Sequence, residues 1–414
     1  MPHIVFEKKD LITTPSNMDG VEFKFIAKSY NFTQKERKTE YRIALENQGK
    51  DFMLALKPKD NNFMIKADKV TRLSPVTLIK NALNAYVKLN ESNILFSNTN
   101  NLKVKEELKN EYLKDINYFV DDFNTDKEIQ IEIGFGSGRH LLHQAKMNPN
   151  VQFIGLEIHF PSIEQLLKHI EFEGITNILI VNYDARLFME FIESNKVGKV
   201  FVHFPVPWDK KPHRRIYSNE FINEALRVLK VGGTLELRTD SRKYFEYCTE
   251  LLTNLPKGRI TIDINKDLAV SSKYEDRWKK MGKNIYDVVL ESQNEDKNIN
   301  LDYNFSFDFK IDFENTLKTI PTKSIIEKNY FIHVEELYTI EEKENSGLIK
   351  VTMGNFDRPV TKYLFVGNGT ISYYQGNPLP TSSNISAHKK LKEILSIWLK
   401  QRIFILLMMI INIL

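Results

Sequence analysis

The sequence predicts an α/β protein with a doubly wound core in the middle of the chain and β-rich regions on both sides. Between residues 111 and 293, strand-length apolar runs alternate with amphipathic runs of helical period. The first strand of this region ends in closely spaced glycines, and both flanks show short alternating runs separated by turn residues. These patterns divide the chain into a β-rich region at 1–110, a ligand-binding α/β domain at 111–293, a second β-rich region at 294–400 and a short apolar tail at 401–414.

Length, composition and charge limit the class of protein. The chain has 414 residues, of which 42% are hydrophobic and 27% are charged, so several globular cores are expected rather than a disordered or fibrous protein. The formal charge of +4 permits an anionic partner without requiring one. The single cysteine, Cys248, excludes an internal disulfide framework and a cysteine-rich zinc site, and no metal is expected.

The two ends of the chain favour a cytoplasmic protein without stable membrane association. The first nine residues lack the charged and then apolar order of a secretory signal peptide. Residues Ile403 to Leu414 are almost wholly apolar, but a membrane-spanning helix needs roughly 20 such residues. We therefore expect either a helix end packed on the body or an aberrant tail.

The first β-rich region is predicted to be a β-meander followed by one helix. Its strand-like runs are separated by turn residues and comprise Val21–Ile26, Tyr41–Leu45, Phe52–Leu56 and Phe63–Ala67. Pro75 lies near the start of a helix whose apolar residues recur at helical spacing as far as Val87. Asparagine and lysine are frequent from Asn90 to Asn110, which predicts a linker and the first boundary.

The strand that opens the middle domain contains Ile129, Ile131 and Ile133, and a helical pattern begins a few residues later. Between them, three glycines at alternate positions allow a sharp turn and a close approach of the backbone to a ligand: Gly134, Gly136 and Gly138. Arg139 stands where the dinucleotide fingerprint requires its last glycine, which argues against NAD. The alternative is an ordinary βα turn without a ligand.

Carboxylates lie at the ends of successive predicted strands. Glu132 precedes the glycines, Glu157 ends the second strand about 20 residues later, and Asp184 follows the third. Ligands of open α/β sheets bind beyond the carboxyl ends of the strands, where Glu157 would accept from ribose hydroxyls and Asp184 from an exocyclic amine such as that of adenine. Each acid alone is equally compatible with a solvated strand end.

The fourth strand runs into a loop rich in proline and cations. Prolines at alternate positions extend this loop at the binding edge of the sheet and hold Trp208 in place. The cations that follow suit phosphate oxygens, while Trp208 either stacks on a base or packs: Lys210, Lys211, Arg214 and Arg215. A solvated charged face is the alternative.

The second β-rich region is expected to begin with a half-buried strand, because Tyr303, Phe305, Phe307, Phe309, Ile311 and Phe313 alternate with mostly polar residues. Further short strands are predicted near residues 330–335, 348–353, 363–366 and 371–374, followed by a lysine-rich helix from Ser386 to Trp398. The two flanks share a plan of strands followed by a helix. A duplication, two halves of one module and an unrelated likeness of meanders all remain open.

The glycine turn and the three acids together resemble the class I methyltransferases, which have a Rossmann-like core. The loop makes the resemblance specific, because Phe204 to Arg215 resembles the Phe-Pro-Asp-Pro-Trp-x-Lys-Lys segment and the basic run that follows it in bacterial tRNA (guanine-N7-)-methyltransferases. Further motifs shared with that family are Glu132 to Gly136, Gly155 to His159, Asn182 to Ala185 and Thr239-Asp240, and Ser272 to Glu275 looks like its Thr-x-x-Glu segment. The resemblance covers roughly Tyr112 to Ser292 and does not extend to either flank.

The resemblance implies S-adenosylmethionine as cofactor and tRNA, not DNA, as partner. Glu132, Glu157 and Asp184 would contact the cofactor beside the glycines; the basic loop, Asp240 and Ser272 to Glu275 would contact the substrate. Val206 replaces the family aspartate that lies beside cofactor and substrate, so the catalytic carboxylate has to come from another position. Asp240 is the first candidate, ahead of Asp209 and Glu275, although Asp240 also suits the N-cap of a following helix.

The predicted activity is methylation of guanine N7 in tRNA, with the family pointing to the variable-loop guanosine at position 46. Guanine N7 carries an in-plane lone pair and no proton, so the reaction needs alignment and charge stabilisation rather than a general base. Two alternatives stand beside this prediction. One is a class I methyltransferase acting on a different RNA base, and the other is a catalytically impaired RNA-binding relative.

Overall fold

The computed structural model describes residues 2–30, 38–99, 110–267, 281–299, 303–356 and 358–411, with side chains as far as residue 396. The chain forms two compact units. The flanking unit comprises Met1–Leu108, Tyr303–Pro378 and Ser382–Leu414, and the middle unit comprises Lys109–Asp302 and Leu379–Thr381. Along the chain, the middle unit is therefore inserted between the two parts of the flanking unit.

The N-terminal part of the flanking unit contains the four predicted meander strands and the predicted helix. Its elements are β1 (His3–Glu7), β2 (Ser16–Met18), β3 (Val21–Tyr30), β4 (Tyr41–Asn47), β5 (Lys50–Lys59), β6 (Asn62–Ala67), α1 (Val76–Leu89) and β7 (Ile94–Ser97). The sequence patterns did not predict β1 or β7, and β7 lies in the segment expected to be a linker.

The middle unit alternates strands and helices, as predicted. Its elements are β8 (Leu113–Lys114), α2 (Ile116–Asp121), β9 (Ile129–Ile133), α3 (Arg139–Met147), β10 (Gln152–Leu156), α4 (Phe160–Glu173), β11 (Ile178–Val181), α5 (Ala185–Phe188), β12 (Val197–His203), α6 (Asn219–Val228), β13 (Leu229–Thr239), α7 (Arg242–Thr253), β14 (Arg259–Ile264) and β15 (Tyr286–Glu291). Two short 3-10 helices, Met189–Phe191 and Pro212–Arg214, lie between them.

The sheet of the middle unit has the order β14-β15-β13-β12-β9-β10-β11-β8. Strands β8 to β13 pair in parallel, and β15 and β14 join antiparallel at one edge. The chain winds from β9 to β10 and β11 in one direction and from β12 to β13 in the other. The fold is thus the Rossmann-like class I architecture, and its switch point lies between β9 and β12, where such sheets bind ligands.

The C-terminal part of the flanking unit comprises α8 (Phe313–Thr319), β16 (Ile325–Ile326), β17 (Phe331–Thr339), β18 (Gly347–Gly354), β19 (Val360–Gly367), β20 (Thr370–Tyr373) and α9 (Ser382–Ile411). The prediction of a strand from Tyr303 to Phe313 was wrong. Residues 303–310 form no strand, and Phe313 begins α8. Phe305 is nevertheless buried, and its ring packs on His388 of α9. The alternating apolar residues therefore indicated burial of one side of the segment correctly, although the segment pairs with no strand.

Strands from both flanks share one antiparallel sheet in the order β20-β19-β18-β17-β3-β4-β5-β6-β1-β7, with β16 paired to β17 and β2 to β3. The two parts of the chain meet where Leu337, Tyr338 and Thr339 of β17 pair with Tyr30, Ser29 and Lys28 of β3. Among the residues that the structure describes, no helix is both long and apolar enough to span a membrane.

A buried ionic network lies inside the flanking unit. The Arg42 side chain is 5% exposed, and its Nε lies 3.1 Å from Asp68 Oδ2. The same Nε donates to the Tyr363 hydroxyl at 3.0 Å, and that hydroxyl donates to Asp68 at 3.0 Å. The Arg42 guanidinium also lies 4.9 Å from the centre of the Tyr338 ring. Because β4 and the residue after β6 come from one flank and β17 and β19 from the other, the network links the two flanks within one core.

Candidate cofactor and substrate site

The glycine turn connects the buried strand β9 to α3 and leaves open space at the sheet edge. Gly134, Gly136 and Gly138 have φ of 67°, 55° and 70°, a region that side chains rarely adopt. A Cβ on Gly134 would meet nothing within 4 Å, whereas one on Gly138 would lie 2.5 Å from Leu166 Cδ1. Gly134 and Gly136 thus border the space where a ligand fits, and Gly138 is required for the packing of α3 against α4.

Glu157 follows β10 and turns its carboxylate towards the glycines. Its Oε2 accepts from the Gly136 N–H at 3.0 Å, and its Oε1 accepts from the N–H groups of Ile158 and His159 at 2.8 and 2.9 Å. A carboxylate has about four lone-pair positions, so one on Oε2 is left to accept from a further donor. The half-buried Glu157 is therefore held by backbone and still able to bind a hydroxyl.

Asp184 lies at the end of β11 and begins α5. Its side chain accepts from the Arg186 N–H at 2.9 Å and is 3.1 Å from Arg186 Nη2. Asp184 is 9% exposed, so this pair is largely removed from water. Arg186 in turn donates to the His213 carbonyl at 3.5 Å, which connects the third strand end with the basic loop.

Two histidines that the sequence analysis did not single out surround Glu132. His140 Nδ1 of α3 lies 2.8 Å from Glu132 Oε2, and the His140 and His203 rings are 4.5 Å apart. Burial lowers the pKa of His140, but the Glu132 carboxylate outweighs it and raises the pKa above the ordinary value. Burial lowers the pKa of His203 well below its ordinary range, and His140 and Arg238 lower it further.

The same three side chains are a possible cation site. Possible ligand atoms of Glu132, His140 and His203 all lie within 4.8 Å of one another. The hydrogen bond between Glu132 and His140 already satisfies one atom of each, and Gln144 Nε2 lies 3.3 Å from His140 Nε2. The arrangement is thus explained as a hydrogen-bond network below the glycine turn. No sequence motif indicated that these two histidines lie beside Glu132, because only the fold brings β9, α3 and β12 together.

The basic loop leaves β12 at Phe204, whose N–H donates to the Arg238 carbonyl at 2.7 Å. Val206 is 60% exposed, and Trp208 has a φ of 45°, which is unusual for a residue with a side chain. The Arg214 guanidinium lies 5.1 Å from the centre of the Trp208 ring. Lys210, Lys211 and Arg214 are exposed, and within the described ranges none of them forms an ion pair.

Arg215 occupies a different position from the other three cations. Its side chain is 10% exposed and lies 3.5 Å from Asp209. Its Nε donates to the Pro207 carbonyl at 2.8 Å, and its guanidinium lies 4.4 Å from the centre of the Tyr247 ring. The four cations predicted together are therefore divided into three that face solvent and one that packs on α7.

Of the three carboxylates considered for catalysis, the two that the structure describes are paired. Asp240 follows β13, and its Oδ2 lies 2.8 Å from Lys283 Nζ. The alternative role considered for Asp240, the N-cap of the next helix, belongs to its neighbour, because the Ser241 side chain accepts from the Tyr244 N–H and caps α7. Asp209 is 51% exposed and contacts Arg215. Ser272 and Glu275 lie outside the described residues.

Comparison with known proteins identifies the family. The family model described as "Putative methyltransferase" (Methyltransf_4) matches residues 126–288. The tRNA (guanine-N(7)-)-methyltransferase of Wolinella succinogenes is 43% identical over 86% of this chain and 90% of that protein. The protein of the same name from Campylobacter fetus subsp. fetus is 38% identical over 96% of this chain and 99% of that protein.

This chain belongs to the tRNA (guanine-N(7)-)-methyltransferase family. The match to the Campylobacter relative covers both flanks, where the motifs alone showed no resemblance. Among solved structures, a 30S ribosomal A1408 methyltransferase from an uncultured bacterium is similar over 45% of this chain and 96% of that chain, with 18% identity and a TM-score of 0.33.

As a class I methyltransferase, the family member uses S-adenosylmethionine. The edge residues fit this cofactor. Glycines with a left-handed backbone border open space beside β9, and Glu157 keeps one acceptor position for a ribose hydroxyl. Asp184 follows the next strand, β11, and Arg186 holds its carboxylate there.

Proposed function

We propose that this protein transfers a methyl group from S-adenosylmethionine to N7 of a guanosine in tRNA, at variable-loop position 46. The observation that carries the proposal is 43% identity to a tRNA (guanine-N(7)-)-methyltransferase over most of both chains. The geometry supports it, because an open glycine edge with acceptor carboxylates and a loop with three exposed cations follow neighbouring strands at the switch point. A tRNA substrate supports the further proposal that the protein acts in the cytoplasm.

The proposed cofactor residues lie at the ends of β9, β10 and β11. Glu157 accepts from a ribose hydroxyl, Asp184 accepts from the adenine amine, and Glu132 supports the methionine end through its hydrogen-bonded carboxylate. Gly134 and Gly136 admit the ligand without a clash. S-adenosylmethionine supplies the methyl group on a positively charged sulfur, and the protein contributes alignment and electrostatics.

The proposed substrate residues are those of the basic loop. Lys210, Lys211 and Arg214 are exposed and suit the phosphate oxygens of the tRNA backbone, which fix its position without reading sequence. Trp208 presents a ring on which an unstacked base can pack. Three-dimensional tRNA shape and the splayed base, rather than a duplex groove, then select RNA over DNA.

Methylation of N7 forms a bond from the guanine lone pair to the methyl carbon as the carbon–sulfur bond breaks, and the purine becomes positively charged. A general base is unnecessary, so Val206 is compatible with activity. A carboxylate near the purine stabilises the new charge. Asp240 is the proposed source because it directly follows β13, the strand next to β12, and its side chain is 18% exposed, whereas Asp209 is 51% exposed on the loop.

The test uses purified protein, labelled S-adenosylmethionine and unmodified tRNA transcripts that differ only at position 46. Digestion to nucleosides is expected to yield label in 7-methylguanosine with the G46 transcript and none with an A46 transcript or a matched DNA hairpin. Label in another nucleoside would favour the first alternative, a different RNA base. If label appears at N7 with the A46 transcript too, position 46 is wrong while the reaction class stands.

A catalytically impaired relative makes a different prediction in a single-turnover assay. The parent would bind tRNA without methyl transfer, and Val206→Asp would restore the reaction. We expect the parent to turn over, because the glycine edge and its acids are intact. An inactive parent rescued by Val206→Asp would refute the proposed activity.

A further inference from the structure

Arg215 closes the basic loop on itself. Its Nε donates to the carbonyl of Pro207, eight positions earlier, at 2.8 Å, and its Nη2 lies 3.5 Å from Asp209 Oδ1. With its side chain 10% exposed, Arg215 has little surface left for a phosphate. The neighbouring Arg214 is exposed instead and lies over Trp208.

The closed loop is fixed to helix α7 by aromatic side chains. The Arg215 guanidinium lies 4.4 Å from the centre of the Tyr247 ring and 5.5 Å from that of Tyr244, distances at which a cation is attracted to a ring face. The Tyr247 hydroxyl donates to the Tyr217 carbonyl at 3.0 Å, and the Tyr244 hydroxyl accepts from the Tyr217 N–H at 3.4 Å. The tyrosines therefore hold both the side chain of Arg215 and the backbone just after it.

The loop needs this support at Trp208. Its φ of 45° is in the left-handed region, where a residue with a side chain is held only when its surroundings impose the conformation. Arg215 binds the carbonyl of the residue immediately before Trp208, and the Trp208 carbonyl accepts from the Lys211 N–H at 2.8 Å. Removing the Arg215 side chain leaves the Pro207 carbonyl without that donor and frees the loop from α7.

We propose that Arg215 is a positioning residue that acts through Pro207 and Tyr247, rather than a ligand of tRNA phosphate. It fixes the loop on α7 so that Trp208 and the exposed cations Lys210 and Arg214 meet the substrate in one geometry. The inference rests on the proposed methylation of tRNA. It divides the four loop cations into three that bind the RNA backbone and one that orders the other three.

The decisive experiment compares Arg215→Ala with its neighbour Arg214→Ala in the full-length protein. Loss of one phosphate contact lowers the slope of log Kd against log salt by about one. We expect that drop for Arg214→Ala and no change of slope for Arg215→Ala, because the exposed cations keep their charges. Misplacement of the substrate is expected to lower kcat of Arg215→Ala, by up to about 100-fold. A slope drop of about one in Arg215→Ala would overturn the inference.

A second comparison uses Tyr247. Tyr247→Leu removes the ring and is expected to reproduce the kcat loss of Arg215→Ala, whereas Tyr247→Phe keeps the ring and most of the rate. The double variant Arg215→Ala/Tyr247→Leu should be no slower than either single variant, since both act through one contact. Losses of kcat that multiply in the double variant would contradict a shared role. Unchanged melting temperatures show that the variants are folded.

A fluorescence measurement separates this inference from the proposed function, because it requires no methyl transfer. With Trp278→Phe and Trp398→Phe, Trp208 is the remaining tryptophan of the sequence. Quenching by acrylamide is expected to increase when Arg215→Ala is added and to stay unchanged with Lys211→Ala. Unchanged quenching in Arg215→Ala would refute the positioning role. Increased quenching in a protein that fails to methylate tRNA would sustain it and refute only the activity.

Discussion

The middle unit and the flanking unit both fix charged side chains with several hydrogen bonds, but they satisfy them in different ways. In the flanking unit, Arg42, Asp68 and Tyr363 bind one another in a closed network inside a core. In the middle unit, Glu157 is held by three backbone N–H groups at an open strand end and keeps an acceptor position. The same residue types thus serve stability where the network is closed and ligand binding where one position remains open.

The closed network of the flanking unit is tested most directly at Arg42. Arg42→Met is expected to cost about 3–5 kcal/mol of unfolding free energy, because it leaves Asp68 buried without its cation. The measurement is urea unfolding of the full-length protein. Lys28→Met is the control, since Lys28 is 43% exposed in its pair with Glu341 and surface pairs contribute at most about 1 kcal/mol. Equal losses of unfolding free energy in the two variants would show that the buried network contributes no more stability than the surface pair.

Asp240 tests whether a paired carboxylate at the open edge has a catalytic role. Asp240→Asn is expected to lower kcat by about 100-fold or more, because it removes a fixed negative charge that stabilises the purine cation. Asp209→Asn, on the exposed loop, should lower kcat by less than about threefold. The measurement is single-turnover methylation of tRNA at saturating cofactor. A larger loss in Asp209→Asn would move the catalytic role to the loop.

Substitution of Glu157 tests the acceptor position that its carboxylate keeps for a ligand. Glu157→Gln is expected to weaken S-adenosylmethionine binding by about 10- to 100-fold, the usual contribution of a hydrogen bond to a charged acceptor. Isothermal titration calorimetry measures it, with tRNA affinity unchanged. Glu193→Gln is the control, because Glu193 is 69% exposed and paired only loosely with Lys196 at 3.6 Å. Unchanged cofactor affinity in Glu157→Gln would remove Glu157 from the site.

The smallest expected effect concerns the protonation of His140. Its pKa is raised in the folded protein, so its pairing with Glu132 contributes stability below the unfolded value near 6.5 and loses it as pH rises through the folded pKa. Histidine NMR titration is expected to place the pKa of His140 above that of His203. In Glu132→Gln, burial acts without the carboxylate, so the pKa of His140 should fall below its ordinary value. A pKa that stays raised in Glu132→Gln would contradict the assigned cause.

The cofactor edge was predictable because its signals are local in sequence. Strand, glycines and helix follow one another from Ile129 to Leu142, and the acids lie at the ends of strands. The basic loop was predictable only as a set of charges. Arg215 was grouped with its neighbours because nothing near it in sequence indicates that Tyr247 packs against it. Likewise, Ser241 rather than Asp240 caps α7, a difference of one residue that depends on where the helix begins.

The flanking unit shows how far strands can be predicted from hydrophobic alternation. Alternation from Tyr303 to Phe313 correctly indicates burial of one side, but a strand also needs a neighbour to receive its backbone hydrogen bonds. The aromatic rings pack on His388 of α9 instead. The pairing of β3 with β17 could not be predicted either, because hydrophobic alternation identifies a strand but not the distant strand with which it pairs.

That pairing has a consequence for how the protein is made. About 300 residues separate Tyr30 at the end of β3 from Phe331 at the start of β17. At synthesis rates of about 5–20 residues per second, the end of β3 leaves the ribosome about 15 to 60 s before its partner. During that interval the strands between Leu113 and Glu291 can complete their own sheet, while the last three residues of β3, Lys28 to Tyr30, lack the partner that β17 provides. A nascent chain that stops between Glu291 and Phe331 therefore releases a complete middle sheet attached to a flanking sheet that lacks β17 to β20.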